Sequence, residues 1–175
     1  WVYCSANPNL VGGIVAKATG RYLPALFDEL IARPLEIRRY YLPLSPRGDF
    51  TMTGGSRFLP RDFLKLAQVH LNDGMWNGRR IYSKEWSDLA TRSHYFSEEY
   101  KFHYGYLWWG VEYPYQGRSI RAYFASGNGG QISMAIPELD LAMAFHAGNY
   151  NDVGGRKATR EYVSEFILPA VDESR

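Results

Sequence analysis

The stretch that most constrains this chain is Tyr123–Asn149, YFASGNGGQISMAIPELDLAMAFHAGN. Two of its runs, Gln131–Ile136 and Leu139–Phe145, alternate with a period of two. Ile132, Met134 and Ile136 share one face of the first, and Leu139, Leu141, Met143 and Phe145 one face of the second. Pro137-Glu138 between them reads as a turn, because proline fixes φ and cannot join a central ladder. Upstream, Ala125-Ser126-Gly127-Asn128-Gly129-Gly130 ends a third β-rich run. The pattern predicts three adjacent antiparallel strands. Its glycine-rich corner is either a plain hairpin turn or a place where a ligand approaches backbone N–H groups.

Around that core, the periodicities predict helices over Leu10–Thr19, from Pro24 to about Arg33, from Pro60 to about Asn72, and from a Ser83 cap to about Thr91. Buried stripes are expected at Leu10, Ile14 and Val15, and at Phe63, Leu64, Ala67 and Leu71. Gly12-Gly13 implies close packing against another element. Glu36–Gly55 reads as a long loop, Trp76-Asn77-Gly78-Arg79 as a tight turn, and Tyr95–Phe102 as another loop. Tyr104–Val111 and Ser119–Ala125 predict a hairpin joined across Pro114 and Gly117. Arg156–Val171 reads as a closing helix with Tyr162, Val163, Phe166, Ile167 and Ala170 inward. The expected class is α+β, an antiparallel sheet flanked by helices. Residues 1–100 are expected to form part of a mostly helical domain with cleft-rim loops, and residues 101–175 the sheet with its closing helix.

Composition narrows function mainly by exclusion. Twenty Lys and Arg against 18 Asp and Glu leave +2, too little to imply nucleic acid or a membrane surface. No run is long enough for a membrane span, and the single Cys4 leaves no internal disulfide. No G-x-S-x-G, H-E-x-x-H, phosphate loop or paired-cysteine zinc motif occurs. His70, His94, His103 and His146 are scattered, and their spacing supports neither metal nor cofactor. Read from the residues alone, Tyr3 is a buried aromatic before a helix and Ser5 an N-terminal cap.

Five stretches in order resemble the penicillin-recognising serine hydrolases: class C β-lactamases, D-alanyl-D-alanine carboxypeptidases, related esterases and 6-aminohexanoate-dimer hydrolases. They are Tyr3-Cys4-Ser5 with Asn9–Gly12; Gly54-Gly55-Ser56 with Pro60-Arg61-Asp62; Gly74-x-Trp76-Asn77-Gly78 with Ser83-x-Glu85-Trp86; Tyr104–Trp109; and Ser126–Gly130 followed by Pro137–Asp140. The resemblance implies acyl transfer to a serine of a Ser-x-x-Lys motif, with a tyrosine, here Tyr3, relaying the proton beside Ser5. It also implies a strand-end corner, here Ser126, Gly127, Asn128 and Gly129, whose Asn128 N–H helps hold the oxyanion. Two departures stand out. Ser5 replaces an asparagine, and the family's Lys/His-x-Gly cation is missing from the corner, whether Ala125-Ser126-Gly127 fill that motif, the preferred register, or Asn128 replaces the Lys/His two or three residues later. The loss argues against penicillins as the main substrate.

Ser-x-x-Lys occurs nowhere in the 175 residues. In the family it lies upstream, so the expected nucleophile belongs to an N-terminal segment, a covalent partner of this one. The expected substrate is a small ester or amide. A non-catalytic sensor or an inactive fragment is the competing reading. An open sheet edge would also admit a second copy as a homo-oligomer. The resemblance leans toward a periplasmic or secreted setting.

Overall fold

The computed structural model describes residues 1–152 and 159–173. Helix α1 (Asn7–Thr19) begins earlier than expected and stops at Gly20, whose φ of 64° and N–H to the Ala16 carbonyl form a left-handed cap. Its N-cap is Ala6 with no side-chain hydrogen bond, so Ser5 does not cap it. The expected apolar stripe is open: Leu10 and Ile14 are 67% and 66% exposed. Gly12 is the buried residue of α1, because a Cβ there would strike the Met52 sulfur and lie 3.2 Å from Leu23 Cδ1.

Helix α2 (Leu23–Phe27) continues into a π-helical turn, Asp28–Ala32. Two short ribbons follow, β1 (Tyr40–Tyr41) with β2 (Arg57–Phe58), then β3 (Met75–Trp76) with β4 (Arg79–Arg80). The second closes through Asn77 and Gly78, both at positive φ, the hairpin turn that Asn-Gly predicts. Between them runs α3 (Pro60–Leu71), whose buried positions are Asp62, Ala67 and Val69, while Phe63, Leu64 and Leu71 are half-buried. Helix α4 (Lys84–Thr91) is capped by Ser83, whose hydroxyl accepts from the Trp86 N–H at 3.1 Å.

The sheet has six antiparallel strands: β5 (Tyr95–Ser97), β6 (Phe102–Tyr104), β7 (Trp109–Tyr115), β8 (Arg118–Ser126), β9 (Ile132–Ile136) and β10 (Leu141–Phe145). They lie in spatial order β10-β9-β8-β7-β6-β5, a meander. Tyr95–Phe102, expected as a loop, therefore contributes one edge strand and opens the next. The expected Tyr104–Val111 strand is broken instead: Gly105–Trp108 is a loop with Leu107 at φ 65°. Pro114 sits inside β7 opposite Ser119, and the β7–β8 turn is only Gln116-Gly117. Leu139 belongs to a 3-10 turn, Pro137–Leu139, so β10 starts two residues later than expected.

Strand alternation sorts the sheet's two faces. Val111, Ile120, Ala122, Phe124, Met134, Ile136 and Met143 form a dry core with Val163 and Leu168 of the closing helix. That helix is described as a π-type turn, Val163–Ile167, followed by α5 (Leu168–Glu173); residues 156–158 of the expected helix lie outside the described residues. Tyr162 and Phe166, expected inward, are 55% and 60% exposed, and Ala170 is exposed too. The π turn spans five residues per bond rather than four, which rotates the inward face to Val163, Ile167, Leu168 and Val171.

On the other face α3 covers β9 and β10, and the Ser133 hydroxyl donates to the Phe63 carbonyl at 2.8 Å. Strand β9 is consequently buried on both faces. Further along, this face turns polar: His103 Nε2 lies 3.2 Å from Glu112, Ser119 donates to Glu112 at 2.8 Å, and Arg121 donates to the Thr91 carbonyl at 2.8 Å.

His70 of α3 lies against Trp108, 4.6 Å between ring centroids, and Tyr82, 4.9 Å. Its Nδ1 is 3.0 Å from the Ser87 hydroxyl, which itself donates to the His70 carbonyl at 2.9 Å. Burial pushes the imidazole down to about 4 from its ordinary 6.5. Between those two values the unfolded chain binds a proton that the folded chain refuses, so stability falls as pH drops from 6.5 toward 4. The loss expected from His70 is about 3 kcal/mol. Urea unfolding across that range should show a slope that His70→Phe flattens; an unchanged slope would contradict it.

Candidate active site

The glycine-rich corner begins where β8 ends at Ser126, opposite Ile132 of β9. Its backbone N–H groups are largely consumed internally. Gly127 N–H donates to the Gln131 carbonyl at 2.8 Å, and Gly130 N–H to the Gly127 carbonyl at 3.2 Å. Gly129 N–H donates to the Gln131 side-chain oxygen at 3.1 Å. Among the described residues, the Asn128 N–H alone of these four has no acceptor. Asn128 is exposed, whereas Gly129 and Gly130 are buried beneath it.

A second segment clasps the first. Asn149 N–H donates to the Gly129 carbonyl at 3.0 Å, the Asn128 side-chain amide donates to Asn151 Oδ1 at 2.9 Å, and Gln131 Nε2 donates to the Ala147 carbonyl. A Cβ on Gly129 would lie 2.5 Å from Gln131 Nε2 and 3.0 Å from the Tyr150 ring. Glycine is needed here for close approach.

Ser126, Gly127, Asn128 and Gly129 thus form one loop. Tyr3 lies elsewhere on the same end of the sheet. Its ring is 5.5 Å from Trp109 and 6.3 Å from Tyr104, within an aromatic group that Trp1 completes by stacking on Tyr95 at 4.9 Å. Trp109 pairs with Phe124, two residues before Ser126, so alternation puts Trp109, Phe124 and Ser126 on one face. Tyr3 is 49% exposed rather than buried, and among the described residues its hydroxyl makes no hydrogen bond. Ser5 is exposed and likewise unpaired among the described residues. Burial, then the nearby Tyr3, push the Tyr104 hydroxyl up to about 12, which makes Tyr104 a poor proton relay near neutral pH. Trp108, in the loop before β7, packs against His70 and Tyr123.

Gln131 and the Ala147–Asn151 segment are the site residues that sequence reasoning passed over. The available signal was the Gly-Gly-Gln run: two glycines before a long amide invite that side chain to fold back over them.

The family model described as Beta-lactamase matches residues 1–164. The chain belongs to the Beta-lactamase family. It is 32% identical, over 85 residues, to a 6-aminohexanoate-dimer hydrolase of Paenarthrobacter ureafaciens, a match covering 48% of this chain and 22% of that protein. The fold is similar to that of a Bacillus anthracis protein assigned to the 6-aminohexanoate-dimer hydrolases, with a TM-score of 0.80 and 17% identity, over 99% of this chain and 45% of that one. It is also similar to that of a Bacteroides dorei DSM 17855 protein assigned as a beta-lactamase, at TM-score 0.57 and 16% identity, over 81% of this chain and 49% of that one. The chain thus spans less than half the length of these proteins, and it carries the mixed helix and antiparallel-sheet part of their fold.

Proposed function

We propose that this chain is the C-terminal part of a serine hydrolase that cleaves a small ester or linear amide through an acyl-enzyme, its Ser-x-x-Lys nucleophile supplied upstream. The observation that carries this reading is the Asn128 N–H, left unconsumed at the end of β8 while its neighbours are tied inward. A fixed backbone N–H at a strand end suits a developing oxyanion, because it need not reorganise as charge forms. In this mechanism the serine attacks the carbonyl, the carbonyl oxygen gains negative charge at Asn128, and Tyr3 takes up and returns the proton with the upstream lysine beside it. A phenol acts as a base near neutrality only with positive charge beside it, the part this reading gives to the upstream lysine.

With Gly127 as the motif's glycine, the corner carries Ala125 and Ser126 in the places of the Lys/His and its neighbour, and the described residues around Asn128, namely Gln131, Asn149 and Asn151, are all neutral amides. A substrate carboxylate therefore finds hydrogen bonds there but no ion pair. In the complete enzyme, kcat/KM for a short acyl ester should exceed that for benzylpenicillin by about tenfold or more. A preference for the penicillin would overturn the substrate assignment.

A further inference from the structure

We propose that Gln131 is a positioning residue for this reaction, holding the Gly127–Gly130 loop so that the Asn128 N–H alone points outward. The inference rests on the reading of that corner as the oxyanion site. Gln131 accounts for two of the three inward hydrogen bonds: its backbone carbonyl receives Gly127 N–H at 2.8 Å, and its side-chain oxygen receives Gly129 N–H at 3.1 Å. Its Nε2 donates to the Ala147 carbonyl, which ties the loop to the segment carrying Asn149 and Asn151.

The two glycines fit this one side chain. A Cβ on Gly127 would land on Gln131 Oε1, and a Cβ on Gly129 on Gln131 Nε2. Both substitutions would push the amide out of the loop. Without the amide, Gly129 N–H loses its acceptor in a buried place, and the loop must turn to satisfy it. The strained alternatives cost the preorganisation of Asn128. An oxyanion donor acts on the transition state more than on the ground state, so the effect belongs in kcat.

The test uses the complete enzyme and p-nitrophenyl acetate. Gln131→Ala should lower kcat about tenfold with KM within about twofold, and should speed amide hydrogen exchange at Gly129. Gly127→Ala moves the amide without removing it and should cost a similar factor; it keeps the test alive where Gln131→Ala does not fold. The double variant should be no slower than either single one, since both act through the same displacement. Multiplying losses would overturn the shared mechanism, and an unchanged kcat in folded Gln131→Ala would overturn the assignment. Asn128→Pro, which deletes the N–H, separates the underlying reading: it should lose about 10²-fold, well beyond the loss in Asn128→Ala, which keeps the N–H. Turnover surviving Asn128→Pro would remove the corner from the reaction. Loss there without loss at Gln131→Ala would remove Gln131 alone.

Discussion

Tyr3→Phe in the complete enzyme is expected to lower kcat for a short acyl ester by about 10²-fold or more, the contribution typical of a positioned acid–base group. The substitution deletes one oxygen and keeps the ring. Tyr3 touches Trp109 and Tyr104 through that ring, and its hydroxyl has no partner among the described residues. No buried hydrogen bond is broken, so stability should stay within about 0.5 kcal/mol. A rate loss without a melting change thus isolates chemistry from folding. Near-wild-type turnover in the folded variant would take Tyr3 out of the mechanism and return the aromatic group around Trp1 to a packing role.

Gly105→Ala should be strongly destabilising. Its Cβ would sit 2.8 Å from the Arg92 carbonyl oxygen and collide with that of Ala90, and backbone cannot swing aside as a side-chain tip can. The same loop donates Tyr106 N–H to the Ala90 carbonyl at 2.8 Å, so the clash opens the contact between α4 and the start of β7. A cost of about 3 kcal/mol is expected, the upper range for overpacking, or roughly 10 °C in Tm for a chain of this size. Gly13→Ala is the counterpart. Nothing lies within 4 Å of its Cβ, and alanine favours a helix interior over glycine by about 1 kcal/mol, so that variant should be neutral or more stable. Thermal unfolding of the two variants decides it; equal melting temperatures would contradict the packing argument.

The contrast shows where the fold was legible. Strands β8, β9 and β10 follow from period-two alternation, and the register Met134 opposite both Phe124 and Met143 is what that alternation requires. Tyr95–Ser97 and Phe102–Tyr104 escaped it because three residues are too few to show a period. A periodic stripe also names a face without naming what covers it. Leu10 and Ile14 of α1 have the right spacing and stand exposed, while Ala67 of α3 has the same kind of spacing and is sealed by Tyr123 and Ala135. At the site, the turn residues Ser126–Gly130 marked the corner. Gln131 had only the Gly-Gly-Gln run to mark it; the partner of its side-chain amide, Ala147, lies sixteen residues away in sequence, where no local pattern names it.

The β7–β8 hairpin offers a practical handle. Its turn is Gln116-Gly117, at φ 47° and 75°, between the paired Tyr115 and Arg118, and a Cβ on Gly117 would meet nothing within 4 Å. From there β8 runs nine residues to Ser126, about 30 Å at the rise of an extended strand. A fluorophore, tether or inserted peptide attached at this turn would sit at the far end of the strand from the Asn128 corner. The same rigid strand would still carry its orientation, making the hairpin a place to report on the corner or immobilise the protein without touching it.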